Sequence, residues 1–264
     1  MKNLLKNTLA VLAISALLAS CNDDNTILSN TSGNGNLDIE FDNSYAGNEL
    51  ELNAANTATS NNEILNISAV KYFISNIVLT DENGATFSYP KANGYFIVDE
   101  SDESSVVLHL ENIPAANYSK IRFGIGVDPE MAASAEQAGL IALAQNGRLY
   151  DNSDYAFLSL KGNFTSPAVS PQNPFEIQVR QTTTAANNYH EVTLDLPQKA
   201  LVRTEITPEI HVVADLSKII DGTHKVKLSD HVEAGEVHIS EGETIDNIAL
   251  NLPEIFTVAH VHND

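Results

Sequence analysis

Tryptophan is missing from the 264-residue chain, cysteine occurs once and methionine twice, and only 14 basic residues stand against 35 acidic ones. Each shortage removes a class of function. A single cysteine cannot close an internal disulfide, so a disulfide-stapled fold is excluded. Methionine is confined to Met1 and Met131, which argues against a thioether-rich Cu(I) site. The formal net charge of -21 repels nucleic acid and anionic headgroups and collects cations. The apolar stretch from Leu9 to Leu18 is too short to span a bilayer comfortably. No P-loop, dinucleotide fingerprint or Gly-x-Ser-x-Gly elbow occurs, and His190-Glu191 lacks the second histidine of a zincin helix.

The chain opens with a basic start, an apolar stretch and Leu18-Ala19-Ser20-Cys21, an arrangement of export signals. That ending resembles the lipobox of bacterial lipoproteins, in which Cys21 becomes the acylated first residue. Acylation implies that no thiol is left for nucleophilic catalysis or soft-metal binding. Asn22-Asp23-Asp24 resembles the surface-export signal of Bacteroidetes lipoproteins, so the expected location is the outer membrane, on its periplasmic or surface face. Residues 22–36 are polar and rich in Asn and Gly without periodicity, as a tether is.

From Leu37 onward the pattern is all-β. Leu37-Asp38-Ile39-Glu40-Phe41 alternates strictly, and the run from Ala69 to Leu79 is apolar enough to need cover on both faces. Asn83-Gly84 behind it reads as a hairpin turn rather than the start of a calcium loop. Further short strands follow to Val127, where Gly124 and Gly126 suggest a bulge or close backbone approach. One helix is expected from Met131 to Gln145, and shorter ones at Asp215–Ile220 and Thr244–Leu252, before an extended tail from Ile255 to His262. The expected architecture is one β-sandwich over residues 37–264, immunoglobulin-like or jelly-roll-like, with one helical insertion.

Lys71-Tyr72-Phe73-Ile74-Ser75-Asn76-Ile77, Phe123-Gly124-Ile125-Gly126-Val127-Asp128, Tyr155-x-Phe157 before Lys161-Gly162, and the tail Val258-Ala259-His260-Val261-His262 resemble the MbnP-like family of copper-binding β-sandwich proteins. The resemblance implies copper as the cofactor and a di-haem peroxidase-like redox partner. It departs from the family where tryptophans usually precede the Tyr-x-Phe strand: Leu149 and Asp151 stand there, so a site using oxidised tryptophan is impossible.

Eight histidines carry what metal chemistry the sequence offers. His260 and His262 are two apart in an expected strand, so both imidazoles share a face with backbones about 6–7 Å apart, a spacing one ion can bridge. His190 resembles the family histidine after the Tyr-x-Phe strand, and His211 lies mid-strand as a reserve ligand. Imidazole with carboxylate favours Cu(II) or Zn(II). His109, His224, His231 and His238 read as satisfied or surface histidines. The expectation is a non-enzymatic, lipid-anchored copper-binding protein with no nucleic-acid partner. Its rival is an adhesion or glycan-binding sandwich that uses exposed Tyr89, Tyr95 and Tyr150.

Overall fold

The computed structural model describes residues 31–56, 60–134, 138–151, 154–181 and 188–264. The expected leader with Cys21, and the tether up to residue 30, lie outside the described residues. In chain order the strands are β1 (Asn34–Tyr45), β2 (Asn48–Glu49), β3 (Ala55–Asn56), β4 (Ile64–Asp81), β5 (Thr86–Ser88), β6 (Tyr95–Asp99), β7 (Val107–Pro114) and β8 (Ala116–Ile125). After the helices α1 (Pro129–Ala132) and α2 (Ala138–Asn146) come β9 (Tyr150–Asp151), β10 (Asp154–Ser166), β11 (Val169–Arg180), β12 (His190–Val202) and β13 (Glu209–Asp215). Helix α3 (Lys218–Asp221), β14 (Val232–Glu233), β15 (Glu236–Ile239), α4 (Gly242–Asn251) and β16 (Phe256–His262) complete the chain.

Two sheets result. The larger runs β12-β8-β4-β10-β11-β15-β14, with β3, β5 and β6 also on β4. The smaller runs β16-β13-β1-β2, with β7 on the other edge of β1. The parallel β1–β13 pair brings residues about 170 positions apart into register, Glu40 opposite His211 and Asp38 opposite Glu209. β4 is the central strand its composition demands: Val70, Tyr72, Phe73, Ile74, Ile77 and Leu79 are all buried, so both its faces are covered.

An aromatic cluster fastens the two sheets. Phe41 of β1 and Phe256 of β16 meet Tyr72 of β4 and Phe123 of β8 in edge-to-face pairs with centroids 5.1–6.1 Å apart, the arrangement the ring quadrupoles favour. The expected turn behind β4 forms as read: Gly84 has φ +87°, and Asp81 Oδ1 accepts from the N–H groups of Asn83 and Ala85, both at 2.8 Å. The close approach expected at Gly124 and Gly126 is also present. A Cβ on Gly124 would lie 2.1 Å from the Tyr189 hydroxyl, and one on Gly126, at φ +105°, 2.4 Å from the Phe157 ring.

Two expectations change. The strand start falls at Asn34, ahead of Leu37. The single helix from Met131 to Gln145 is instead two, α1 and α2. Asp128 caps α1, accepting from Met131 N–H at 3.1 Å; the Ser134 N–H then closes on the Met131 carbonyl at 3.0 Å, a tightened i to i−3 bond that ends the first piece. No helix among the described residues is long and apolar enough to cross a membrane.

Candidate metal centre on the outer face of the small sheet

The alternation of β1 and β13 sends one set of residues inward and the other outward. Ile39, Phe41, Ile210 and Val212 are buried, so Asp38, Glu40, Asp42, Glu209 and His211 face out. β16 adds two imidazoles to this face through a bulge. His260 pairs with His211 and Val258 with Val212, which leaves Ala259 unpaired. The extra residue shifts the phase by one, so Val258 and Val261 both pack inward while His260 and His262 both stand outward. The strand is held in place beyond the ladder: the Asn263 side chain accepts from Leu201 N–H at 2.7 Å and donates to the Lys199 carbonyl at 3.0 Å, and Gln198 donates to the Val261 carbonyl.

Cross-strand register therefore lays out two rows. One reads His109, Asp38, Glu209, His262 across β7, β1, β13 and β16; the next reads Val107, Glu40, His211, His260. In these rows the His211, His260 and His262 rings converge. His211 stacks on His260 at 4.2 Å with planes 21° apart. His262 stands nearly perpendicular to both, at 5.2 Å from His211 and 4.7 Å from His260. One ring nitrogen from each can be chosen so that all three lie within 4.8 Å of one another.

His211 is the hub. Its side chain is 14% exposed, and its Nδ1 lies 2.8 Å from Glu40 Oε2 and 3.5 Å from Asp42 Oδ2. Glu209 Oε1 lies 2.7 Å from Nε2, yet Nε2 is buried without a hydrogen-bond partner. The two facts are compatible because proximity alone does not meet the directional demand of a hydrogen bond: the carboxylate approaches as a charge, off the N–H axis. Burial, and next the charge of Asp42, push the Glu40 carboxyl above its ordinary value, with His211 pulling the other way.

The donor set fits a borderline divalent ion such as Cu(II) or Zn(II), for which imidazole and carboxylate are the preferred ligands. Two nitrogens bound to one ion at about 2.0–2.1 Å can be at most about 4.2 Å apart. With its nitrogens all within 4.8 Å, the trio exceeds that limit by less than an ångström at most. His260 and His262 are exposed and have room to close the difference.

Of the histidines singled out from sequence, the structure gathers His211, His260 and His262 and leaves His190 apart. His190 begins β12 in the other sheet, opposite Ile125. The β12 residues that hydrogen-bond the β16 tail include Gln198, Lys199 and Leu201, the first of them roughly 25 Å of strand away from His190. Burial pulls its imidazole below the ordinary range. Sequence reasoning passed over Glu40, Asp42 and Glu209; His109, read as a satisfied or surface histidine, is an exposed one on this same face, its Nδ1 2.8 Å from Asp38.

The tyrosines expected to stand exposed are half-buried instead and spend their faces on the protein. Tyr150 packs edge-on against Tyr155 at 4.9 Å, Tyr89 lies tilted against Phe96 at 6.4 Å, and the Tyr95 hydroxyl donates to Asp128. Each of the three is therefore partly engaged by the protein itself. The acidic loop after β6 satisfies itself locally: Asp99 and Asp102 accept from Ser101 and Ser104.

No curated protein matches the chain. Among solved structures it is similar to MbnP from Methylosinus trichosporium at 10% identity and a TM-score of 0.46, with 79% of this chain and 81% of that one covered. The family model for MbnP matches residues 34–239, a span that contains both sheets up to β15 and stops short of β16. The chain belongs to the MbnP family.

Proposed function

We propose that this protein is a non-catalytic metal-binding protein held at the cell envelope by a lipid on Cys21, and that it binds Cu(II) at His211, His260 and His262. The observation that carries the reading is the convergence of three imidazoles on one sheet face, with their nitrogens within 4.8 Å and carboxylates alongside. Membership of the MbnP family points to copper, but two of the three histidines lie beyond the matched residues. The support for this particular site is therefore its geometry. The surrounding acidity works in the same direction by raising the local concentration of cations. His190 is not part of the proposed ligand set.

Isothermal titration of the purified protein with Cu(II), beside the His260→Ala/His262→Ala variant, tests the reading. A loss of affinity of more than tenfold in the variant is the expected result. Equal affinity in both proteins would remove the β16 histidines from the site.

A further inference from the structure

β4 breaks its pairing beside a cavity. Ser75 pairs with Gly124 of β8 and Val78 with Arg122, so Asn76 and Ile77 together face one β8 residue. This is a bulge, a device that re-aims a side chain. Asn76 sits in it at φ +49°, a conformation that costs energy for a residue with a Cβ and persists where the surroundings over-determine it. Its amide donates to Asp128 Oδ2 at 2.9 Å and to the Tyr189 hydroxyl at 2.7 Å. The Tyr95 hydroxyl donates to Asp128 as well, so β4, β6, the cap of α1 and the start of β12 are tied into one wall.

That wall bounds a cavity of about 300 Å³, at the small end of the range of ligand pockets. Asn76, Tyr89, Lys91, Arg122, Tyr189 and Glu191 line it. We propose that this cavity is a second binding site, for a neutral sugar whose hydroxyls bond the charged side chains while the tyrosine rings cover its apolar face. The site is independent of the histidine face, which lies on the other sheet.

Charge selects the class of ligand. Lys91 Nζ lies 3.2 Å from Asp128 Oδ1 and 2.9 Å from Glu130 Oε2, and Arg122 pairs with Glu191. Each of these charges already has an opposite partner. An anion would meet the three carboxylates, and a cation would have to displace an ammonium or a guanidinium; a neutral ligand disturbs neither pair. What the pairs leave unused is hydrogen-bonding capacity, because Lys91 and Arg122 have more N–H donors, and Glu191 more lone pairs, than these contacts take. A sugar hydroxyl donates and accepts at once, so neighbouring hydroxyls match a wall where donors and acceptors stand side by side. Tyr89 and Tyr189, both half-buried, bring apolar ring surface with a polar tip, which suits the carbon-bound hydrogens of a sugar ring.

Titrating the isotope-labelled purified protein with glucose, galactose, mannose, N-acetylglucosamine and lactose, each to tens of millimolar, and with glycine and acetate as charged comparisons, tests the proposal through amide chemical shifts. The resonances of Asn76, Ser88, Lys91 and Tyr189 are expected to move with at least one sugar and with neither charged compound. Tyr89→Ala and Arg122→Gln should each weaken that binding by about tenfold. The Arg122 side chain is 42% exposed, so its substitution tests the site even where Tyr89→Ala disturbs the packing on Phe96. The His260→Ala/His262→Ala variant should bind the sugar as the parent does. No shift with any of the sugars, shifts confined to other regions, sugar binding unchanged in both cavity variants, or glycine or acetate moving the same resonances in place of the sugars would each overturn the proposal.

Discussion

Phe256 should decide the metal affinity of a site it does not touch. It is 3% exposed and closes the aromatic cluster at 5.1 Å from Phe123, 5.9 Å from Tyr72 and 6.0 Å from Phe41. Replacing a buried Phe by Ala costs about 3–5 kcal/mol, and three edge-to-face partners place this one in the upper part of that range, since each such pair adds about 0.5–1.5 kcal/mol. The loss falls on β16, an edge strand whose one ladder partner among the described residues is β13. Phe256→Ala should therefore populate states in which β16 is undocked, and apparent affinity drops by the fraction still docked. We expect about 4 kcal/mol less stability by urea unfolding and a Cu(II) affinity weakened by about tenfold or more. Saturating Cu(II) should then return about 2.7 kcal/mol at a hundred times Kd. A variant that loses the stability but binds Cu(II) within twofold of the parent would refute the idea that the core positions the histidines.

The other predictions concern the scaffold. Burial raises the Asp128 carboxyl, but hydrogen bonds from Tyr95, Asn76 and the Met131 N–H, together with Lys91, more than offset it and bring it down to about 2. Because its folded value is below the unfolded one, its contribution is full above about pH 4 and fades as pH falls toward 2. Asp128→Asn should cost about 2 kcal/mol at neutral pH, and urea unfolding from pH 7 to 2 should show that difference shrinking; a constant gap would sink the argument. Gly126→Ala places a Cβ into the Phe157 ring at a positive φ and should lower stability by about 3 kcal/mol, measured as a shift in Tm. Asn263→Ala frees the Leu201 N–H and the Lys199 carbonyl and should cost about 1 kcal/mol, with a severalfold weakening of Cu(II) binding by calorimetry.

The strands were legible because their periodicity is local. Leu37 to Phe41 alternates, and the buried run of β4 and the Asn83-Gly84 turn each announce themselves within a dozen residues. The helix after Asp128 was legible as helix but not as two pieces, since composition does not reveal that Ser134 closes early on Met131. Two of the proposed ligand residues, His260 and His262, could be found from their i, i+2 spacing alone. Glu40, Asp42 and Glu209 could not. Their partnership with His211 depends on the parallel pairing of β1 with β13 across about 170 residues, and a period-2 pattern says which face a residue takes but not which strand lies beside it. His190 misled for the same reason, because its strand was right and its neighbours were not.

The histidine face follows from folding energetics and does not depend on a metal to create it. Strict alternation from the buried Phe256 would send Val258 in, Ala259 out, His260 in, Val261 out and His262 in. That register buries two imidazoles against the aromatic cluster, at about 1–3 kcal/mol for each unpartnered polar group, and exposes Val261, forfeiting about 1.5–3 kcal/mol of apolar burial. Leaving Ala259 out of the ladder costs one cross-strand pairing and keeps Val261 at 1% exposure. The bulge is the cheaper solution with no ion present. The three rings are consequently assembled without an ion, and the proposed binding would need only to turn the exposed His260 and His262 on a finished sheet, which keeps the ordering cost small.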